Sequence, residues 1–568
     1  MGIVPTFRFN LTSAVIIATV VFTGYLCLNP MGWLLFGSFW SADPGKAGVL
    51  TLDNYARAFA SRELVPTLIN SAIYAIGAAG LSTLMGLILA WTVVKTNTPF
   101  RGFIEIIAIL PYMVPLLLLA ISYTFLFSPR IGLINRVLMG LFNLPQAPFD
   151  IYSMWGMILV MAIFETPFSF LIIAAAMRAM DASLEESARV VGSSPFSTLR
   201  SITLPIIMPA VLASFLINVV RALEIFDIPA ILGYPVKLYV MPTLIYTTLW
   251  SGLAPDIRGA TALSTLLMVL TVSLILLYRY YTRQSYKFAS IAARGFRTGV
   301  ADIGKWKYVT LAFAFFYFFI AVVLPIFILA FFSFMPRLKT PELSDITQFT
   351  LKNYIDVFTY PITFRALLNS VFLAVVGAFL AVLLASLISY LTIRIKGRGS
   401  NLLESVATLP FAVPSIVLAV GLIWAYLYIP IGIYGTIWIL MVGYITKFIP
   451  FGIRSVSVNM LQIHKDLEES ARVSGASRIR TFYSILLPLV RPGMIAAWLI
   501  LATIFLREFS MSILLYKAGS EVLPVVVFDM YINGFWPTLS AIGVLMTAIS
   551  LTFAAIALRL GRGSSIFG

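Results

Sequence analysis

The chain is 568 residues long, with 60% hydrophobic and 11% charged residues. Soluble domains carry about 25% charged residues, so this composition excludes an ordinary soluble protein and predicts many membrane spans. The net charge of +16 is expected in cytoplasmic loops rather than on a nucleic-acid-binding surface. Because Cys27 is the single cysteine and His464 the single histidine, the sequence has no disulfide framework, Cys/His metal site or His-based catalytic centre.

Apolar stretches long enough to cross a bilayer, which takes about 20 residues, fill the chain. The first is expected to be a retained span and not a signal peptide, because it continues to about Phe39 without a clear cleavage site after its early part. A shorter apolar piece, 131–142, predicts a re-entrant or interfacial helix. The twelve predicted spans are 13–39, 65–94, 102–128, 152–180, 205–231, 260–282, 307–334, 364–392, 402–428, 434–460, 488–516 and 537–560.

Basic loops predict the orientation of these spans. The segment 279–307 holds seven Lys/Arg residues against one acid, Asp302. Two more basic loops follow Lys95 and Arg394, whereas the intervening loops are closer to balanced. Since Lys and Arg are retained on the cytoplasmic side, both termini and the 279–307 linker are predicted to be cytoplasmic.

The sequence repeats. "TLDNY" at 51 returns as "TLKNY" at 350, Asn-Ser at 70 returns at 369, and "LPYMVP" at 110 returns as "LPFAVP" at 409, all with an offset of 299. "LEESARV" returns with an offset of 283, so the first copy holds 16 extra residues, predicted near 130–150. We predict two parallel six-helix halves, 1–285 and 307–568, joined by a basic cytoplasmic linker at 286–306.

A charged segment follows the fourth span of each half. The first reads Glu186-Ser187-Ala188, then Gly192, then "ITLP" ending at Pro205, and the second repeats this spacing from Glu469 to Pro488. The pattern predicts a short helix, a glycine turn and a second short helix that leads into the next span. A charged loop without a role is the plain alternative, and two copies with the same internal spacing argue against it.

This pattern resembles the "EAA" loop of binding-protein-dependent ABC import permeases, with serine in place of the central alanine. The resemblance covers nearly the whole chain and implies the type I importer transmembrane fold, in a bacterial inner membrane. In that family the loop docks into an ATPase subunit. The implied docking residues are Glu185, Glu186, Ala188, Arg189, Gly192 and Pro205 in loop 1, and Glu468, Glu469, Ala471, Arg472, Gly475 and Pro488 in loop 2.

The phosphate-binding pattern GxxxxGK[ST] is missing from the sequence: the Gly-Lys pairs at 45 and 304 continue with Ala and Trp. We therefore expect this chain to be a translocation subunit and not an enzyme. ATP and Mg²⁺ are expected on a separate ATPase, in two copies, one under each loop. The other expected partners are a periplasmic binding protein and the lipid bilayer, with no nucleic acid.

Glu165 and Lys447 are charged residues in the middle of predicted spans. Such groups are costly in a bilayer and usually face a cavity or a partner. Glu165 lies ~20 Å along span four, beside Pro167. With the offset of 283, Lys447 corresponds to Phe164, which is one position from Glu165. We predict an ion pair between Glu165 and Lys447, either a fixed tie between the halves or a gate that breaks on opening.

Spans five and eleven carry further charges, ~28–30 Å from their starting prolines and so near the predicted outer mouth. One hypothesis is an ion pair between Arg221 and Glu224, three residues apart on one helix. The other is a carboxylate ring that accepts a cation or contacts the delivering protein. The candidates for the translocation path or gate are Glu165, Lys447, Arg221, Glu224, Asp227, Arg507 and Glu508.

The stretches "RALEIFDIPAILG" (221–233) and "FLREFSMSILLY" (505–516) resemble the ferric-iron permease group. That resemblance implies ferric iron as cargo, with polyamine, thiamine or phosphonate as alternatives, because related permeases handle them. No metal-ligand constellation in the sequence singles out iron. An ion-coupled secondary transporter is the alternative of a different class: such carriers also have twelve spans but no reason to keep two matched docking loops.

Overall fold

The computed structural model describes residues 11–250, 255–289, 299–337, 347–395, 399–429 and 431–561. Part of the predicted linker, 290–298, and the basic residues Lys396 and Arg398 lie outside these ranges. The helices up to the linker are α1 (Leu11–Ser38), α2 (Asp53–Ala60), α3 (Leu64–Lys95), α4 (Arg101–Ile109), α5 (Leu116–Phe127), α6 (Leu133–Phe142), α7 (Met154–Arg178), α8 (Ala182–Val190), α9 (Pro195–Thr198), α10 (Leu204–Glu224), α11 (Met241–Trp250) and α12 (Ile257–Ala289).

The remaining described helices follow the linker. They are α13 (Trp306–Phe318), α14 (Leu324–Ser333), α15 (Lys352–Thr359), α16 (Pro361–Phe372), α17 (Ala378–Tyr390), α18 (Ser400–Thr408), α19 (Ser415–Tyr428), α20 (Ile437–Leu461), α21 (Asp466–Val473), α22 (Arg478–Thr481), α23 (Leu487–Leu506), α24 (Ser512–Leu515), α25 (Leu523–Ile532) and α26 (Trp536–Gly561). Five-residue π-helical turns join several of them into longer rods, for example α16 to α17 and α13 to α14.

Ten of these helical stretches are long and apolar enough to cross a membrane, and two bent helix pairs bring the number to as many as twelve. The all-α membrane fold is confirmed. The bent pairs correct the predicted continuous spans 102–128 and 402–428, which turn by 95° and 110°. Spans five and eleven also end earlier than predicted, at Glu224 and Leu506 instead of 231 and 516.

The repeated "LPYMVP" and "LPFAVP" motifs form the two bends. The first proline of each motif begins a short 3₁₀ turn, and the second lies directly before the next α-helix. Val114 and Val413 precede that second proline and have extended backbones, with ψ of 130° and 123°. A residue before proline is driven out of the helical region by contact with the proline ring, so the motif breaks the helix at the same place in both copies.

Packing divides the chain into two compact units that do not follow the sequence repeat. The smaller unit holds residues 1–54, 364–523 and 549–568, and the larger unit holds 55–363 and 524–548. In the smaller unit α1 packs against α18 and α19 of the second repeat, and in the larger unit α13 and α14 pack against α4 and α5 of the first. The first span of each repeat is therefore exchanged.

Two of the repeated landmarks fix these spans. Asn54, in "TLDNY", donates hydrogen bonds to the carbonyl oxygens of Ser38 (3.1 Å) and Trp40 (2.8 Å), just where α1 ends. Asn353, in "TLKNY", donates equivalent bonds to Ser333 (2.9 Å) and Met335 (2.7 Å) at the end of α14. Both asparagines are buried, and each satisfies carbonyl groups that a helix end leaves without an intrahelical partner.

The extra residues of the first copy lie where the offsets place them. Helix α6, flanked by loops, fills the connection from α5 to α7, whereas α19 and α20 are joined by a short loop. Asn135 of α6 is buried and donates to the carbonyl oxygens of Phe127 and Phe149, which holds α6 to both ends of this insertion. The predicted position of the insertion is confirmed.

Candidate functional site

The two charged segments fold alike. Helices α8 and α21 end at Val190 and Val473, and Gly192 and Gly475 follow two residues later with φ values of +86° and +85°. The residue after each glycine donates its N–H to the carbonyl oxygen of Ala188 (2.9 Å) or Ala471 (3.0 Å). This is the Schellman arrangement that closes a helix on a left-handed residue. The predicted short helix, glycine turn and second short helix is confirmed in both copies.

The first acidic residue of each loop faces inward. Glu185 is buried and forms an ion pair with Lys95 at the end of α3, with 2.9 Å between Oε2 and Nζ. Its other oxygen accepts a 2.6 Å hydrogen bond from Thr203 Oγ1. Glu185 was predicted as a residue of docking loop 1, and within that loop its carboxylate bonds to α3 and to Thr203.

Loop 2 repeats this anchor with a different cation. Arg394 Nε lies 3.1 Å from Glu468 Oε1, although the N–H is not aligned for a hydrogen bond. Arg394 also donates to the carbonyl oxygens of Met460 and Ile463, where α20 ends. Lys95 and Arg394 are separated by 299 residues, and Glu185 and Glu468 by 283 residues. In each copy, therefore, the anchor joins a residue that follows the first repeat offset to one that follows the second.

The outer face of each loop is exposed. Val190 and Val473, at the C-terminal ends of α8 and α21, are each 90% exposed, a high value for valine. Glu186 and Glu469 are exposed beside them. An apolar residue at the same exposed position of both copies, next to a carboxylate, fits a surface that is covered by a partner.

Loop 1 has an additional contact with the C-terminal part of the predicted linker. Arg189 Nη1 donates to the carbonyl oxygen of Val300 (2.9 Å). Ala301 pairs with the end of α3, since its N–H donates to Lys95 (2.8 Å) and its carbonyl accepts from Asn97 (3.0 Å). In loop 2 the equivalent residue, Arg472, is exposed. We call residues 299–304 the linker strap.

The prolines that end the two segments lie early in α10 and α23, as predicted. A π-helical turn precedes each of them, at Leu199–Thr203 and Phe482–Leu486. The second short helix of the first copy is therefore continuous with the following span, as one helical stretch from Pro195 to Glu224.

The structure gives Glu165 a partner that the sequence did not suggest. Glu165 accepts two hydrogen bonds from Arg221, from Nε at 2.7 Å and from Nη2 at 2.9 Å. Glu165 and Lys447 belong to different units, so their predicted pair stays a prediction, as does the predicted pair between Arg221 and Glu224. Because α7 and α10 pack against each other within the larger unit, Arg221 reaches Glu165, which the repeat offset alone could not reveal.

Lys447 is buried and donates a 2.7 Å hydrogen bond to the carbonyl oxygen of Val413, in the second bend. Arg221 in turn lies 3.4 Å from Tyr112 Oη, in the first bend. Each bend is therefore held by a cation from a neighbouring helix. The repeated motif marks the position of each bend in the sequence, but nothing in it indicates which cation reaches the bend.

The other predicted path residues lie at the ends of α10 and α23. Glu224 is the last residue of α10 and half-buried, and Asp227 is buried three residues beyond it. Arg507 follows α23 directly, and the Glu508 carboxylate accepts the N–H of Met511 at 3.0 Å, so it stabilises the start of the next turn. The predicted carboxylate ring involves residues of both units and stays a prediction.

The fold defines a class: a polytopic membrane protein of the permease type, here with two matched loops. The chain belongs to the family of binding-protein-dependent transport system inner membrane components, whose model matches residues 82–285 and 377–563. It is therefore an ABC importer permease, a translocation subunit and not an enzyme. The match in two blocks agrees with the fused two-half architecture.

Three relatives place the chain within that family. It is 29% identical over 498 residues to a probable ABC transporter permease of Sinorhizobium fredii, covering 85% of each chain. It is 26% identical to a ferric transport system permease of Actinobacillus pleuropneumoniae, covering 85% of this chain and 70% of that one. A spermidine/putrescine transport system permease of Haemophilus influenzae is 25% identical, covering 37% of this chain and 80% of the other.

Proposed function

We propose that this permease moves ferric iron from a periplasmic binding protein into the cytoplasm by alternating access. Two copies of a separate ATPase, which hold the ATP and Mg²⁺, dock under loops 1 and 2. Both termini and the linker are cytoplasmic in this proposal.

The matched geometry of the two loops carries the proposal. Each loop is anchored inward through a buried glutamate, Glu185 or Glu468, and exposes a valine outward. Each is also followed by a short helix that leads into a membrane helix. This is the arrangement needed to transmit closure of an ATPase dimer to both halves at once.

Iron as cargo is supported by the ferric transport permease relative, which matches most of the chain. Polyamine cargo is the second candidate, supported by the spermidine/putrescine relative, which matches about a third of it. Thiamine and phosphonate complete the cargo classes to be compared.

The test uses the full chain in lipid nanodiscs with its ATPase and binding protein. ATP hydrolysis is measured with the binding protein empty and then loaded with ferric iron, spermidine, thiamine or a phosphonate. Stimulation by the ferric form alone supports the proposal, and stimulation by another loaded form replaces the cargo. Cargo uptake that needs a proton or sodium gradient and no ATPase would overturn the importer mechanism.

The docking role is tested with Val190→Ser and Val473→Ser. Both side chains are exposed, so folding should be unaffected while ATPase co-purification falls. Phe142→Ser is the matched control: Phe142 is 67% exposed, but lies in α6, away from both loops in the chain. Unchanged ATPase binding in the double valine variant would contradict the docking surface.

A further inference from the structure

A polar seam runs between α3, α7 and α10 in the larger unit, within the first repeat. In the second repeat the equivalent helices are α17 with the π-helical turn before it, α20 and α23, and they pack against one another in the same way. The seam residues are Tyr74, Ser82, Glu165, Ser169, Ser214, Asn218 and Arg221. With the offsets of 299 and 283, their equivalents are Leu373, Ala381, Phe448, Gly452, Ala497, Leu501 and Ile504.

The middle of the seam shows that the equivalence is spatial as well as numerical. Asn218 Nδ2 donates to Ser82 Oγ at 2.9 Å and to Ser169 Oγ at 2.7 Å, and all three residues are buried. In the smaller unit Leu501 takes the place of the asparagine. Its Cδ1 lies 3.3 Å from the position a Cβ would have on Gly452, and Ala381 lies against the same spot.

The second repeat therefore shows that these seven positions can be filled by residues without polar side chains. In hydrocarbon, polar side chains are costly and tend to mark a functional surface. A seam needed only for helix packing would be expected to satisfy its own hydrogen bonds.

The seam does not satisfy them. Tyr74 Oη, Ser214 Oγ and Asn218 Oδ1 are buried and have no hydrogen-bond partner among the described residues. All three oxygens can accept a hydrogen bond, and Asn218 Oδ1 can only accept. The seam thus contains three possible acceptors to which no described group donates.

The charges near the seam favour a cation. Glu165 belongs to the seam, and a second carboxylate, Asp227, is buried three residues beyond the end of α10. The positive charge of Arg221 is balanced by its two bonds to Glu165, and its guanidinium carbon lies 5.3 Å from the ring centre of Phe168. Arg221 is the partly open end of the seam, since 17% of its side chain is exposed.

We propose that this seam is the cargo-contacting wall of the translocation path, that it opens during the transport cycle, and that the second repeat contributes no equivalent wall. Its ligand is a cationic cargo that brings its own hydrogen-bond donors, either the water shell of a metal ion or an alkylammonium group. The inference rests on the proposed importer function and adds where, within the membrane, the cargo is handled.

Cysteine accessibility tests this directly, because Cys27 is the single cysteine and can be replaced by alanine. In that background Ser82→Cys and Ser214→Cys report on the seam. Ala381→Cys and Ala497→Cys, at the equivalent positions, are matched controls. Each variant is reconstituted with ATPase and binding protein and treated with a cationic or an anionic methanethiosulfonate, at rest and in the vanadate-trapped state.

We expect the two seam cysteines to react at least tenfold faster than their controls in one of the two states, and faster with the cationic reagent. Binding protein loaded with the true cargo should slow the reaction. Slowing by the ferric form indicates a metal ion, and slowing by the spermidine form indicates an alkylammonium group. Equal rates for seam and control cysteines in both states, with ATP-driven transport intact, would overturn the seam. Loss of ATP dependence would instead overturn the importer proposal, so the two failures are separable.

Discussion

The two docking loops have the same local structure in both repeats, whereas the two seams have different side chains. In the loops, the positions that set backbone geometry are the same: Gly192 and Gly475 agree in φ to within a degree, and both first glutamates are buried on a cation. In the seams, the helices are equivalent but the chemistry is not, since Asn218 faces two serines where Leu501 faces alanine and glycine. The proposed ATPase, which would bind both halves alike, explains why the loops stay alike, whereas the proposed cargo wall is needed in one copy only.

The helix contact beside the seams shows how packing survives such divergence. In the larger unit Gly86 of α3 allows Ser169 of α7 to approach closely, because a Cβ on the glycine would overlap it. In the smaller unit the glycine is on the other helix, Gly452 of α20, and meets Ala385 of α17. One small residue per contact is enough, whichever helix supplies it.

The largest effect is expected from breaking a loop anchor. Lys95→Met leaves the buried Glu185 carboxylate without its cation, which costs about 3–5 kcal/mol for a buried pair. We expect a large fall in thermal stability, or displacement of loop 1 with loss of ATPase stimulation. Nanodisc melting and ATPase assays measure both.

Lys95→Arg is the control, because it keeps the charge, and Arg394→Met tests the same anchor in loop 2. If Lys95→Met were as stable and as well coupled as Lys95→Arg, the anchor role of Glu185 would be wrong.

The difference between the two seams is tested by placing a polar side chain in the second repeat. Leu501→Asn buries an amide beside Ala381 and Gly452, whose side chains offer no hydrogen-bonding group, at a cost of about 1–3 kcal/mol. Adding Ala381→Ser recreates one partner and should recover part of the melting temperature. A single Leu501→Asn variant with unchanged stability would show that the second seam is already hydrated.

In the two glycine turns we expect an effect that is smaller than the previous ones and of the same size in both turns. Gly192→Ala and Gly475→Ala place a Cβ on a left-handed residue, which costs about 1–2 kcal/mol, while no atom lies within 4 Å to clash with it. Both should lower the stability of the ATPase complex to a similar degree. Gly80→Ala, in a helix with open space around it, is the matched control and should be neutral or slightly stabilising.

The smallest effect concerns the linker strap. The backbone N–H of Gly304 and the side chain of Asn97 hold the pKa of Asp302 below its ordinary value of 3.8. A lowered pKa means that the contact contributes above pH 3.8 and is lost as pH falls through the folded-state value below it. Asp302→Asn should therefore speed hydrogen exchange of the Ala301 amide at pH 7.

The same substitution should change nothing in the exchange of loop 2. Glu186→Gln, on the exposed face of loop 1, is the control for a nearby loss of charge. If the Ala301 amide exchanged at the same rate in the wild type and in Asp302→Asn, Asp302 would not stabilise the linker strap.

The membrane class, the repeat, the position of the insertion at α6 and the helix–glycine–helix geometry of both loops could all be predicted from the sequence. These follow from local rules: hydrophobic length, glycine conformation and the spacing of short motifs. The "LPYMVP" motif was visible as a repeat, but its bend was not predicted, although the extended residue before each second proline is also a local effect.

Only the tertiary structure decided the partners of the charges and the exchange of the first spans. A helix sequence tells which residues share a face, but not which neighbouring helix that face meets. Glu165 therefore pairs with Arg221, on a helix of the same repeat, and Asn54 and Asn353 each close a span that packs against helices of the other repeat. Such contacts join residues far apart in the chain, and they depend on how the helices pack, which no local pattern encodes.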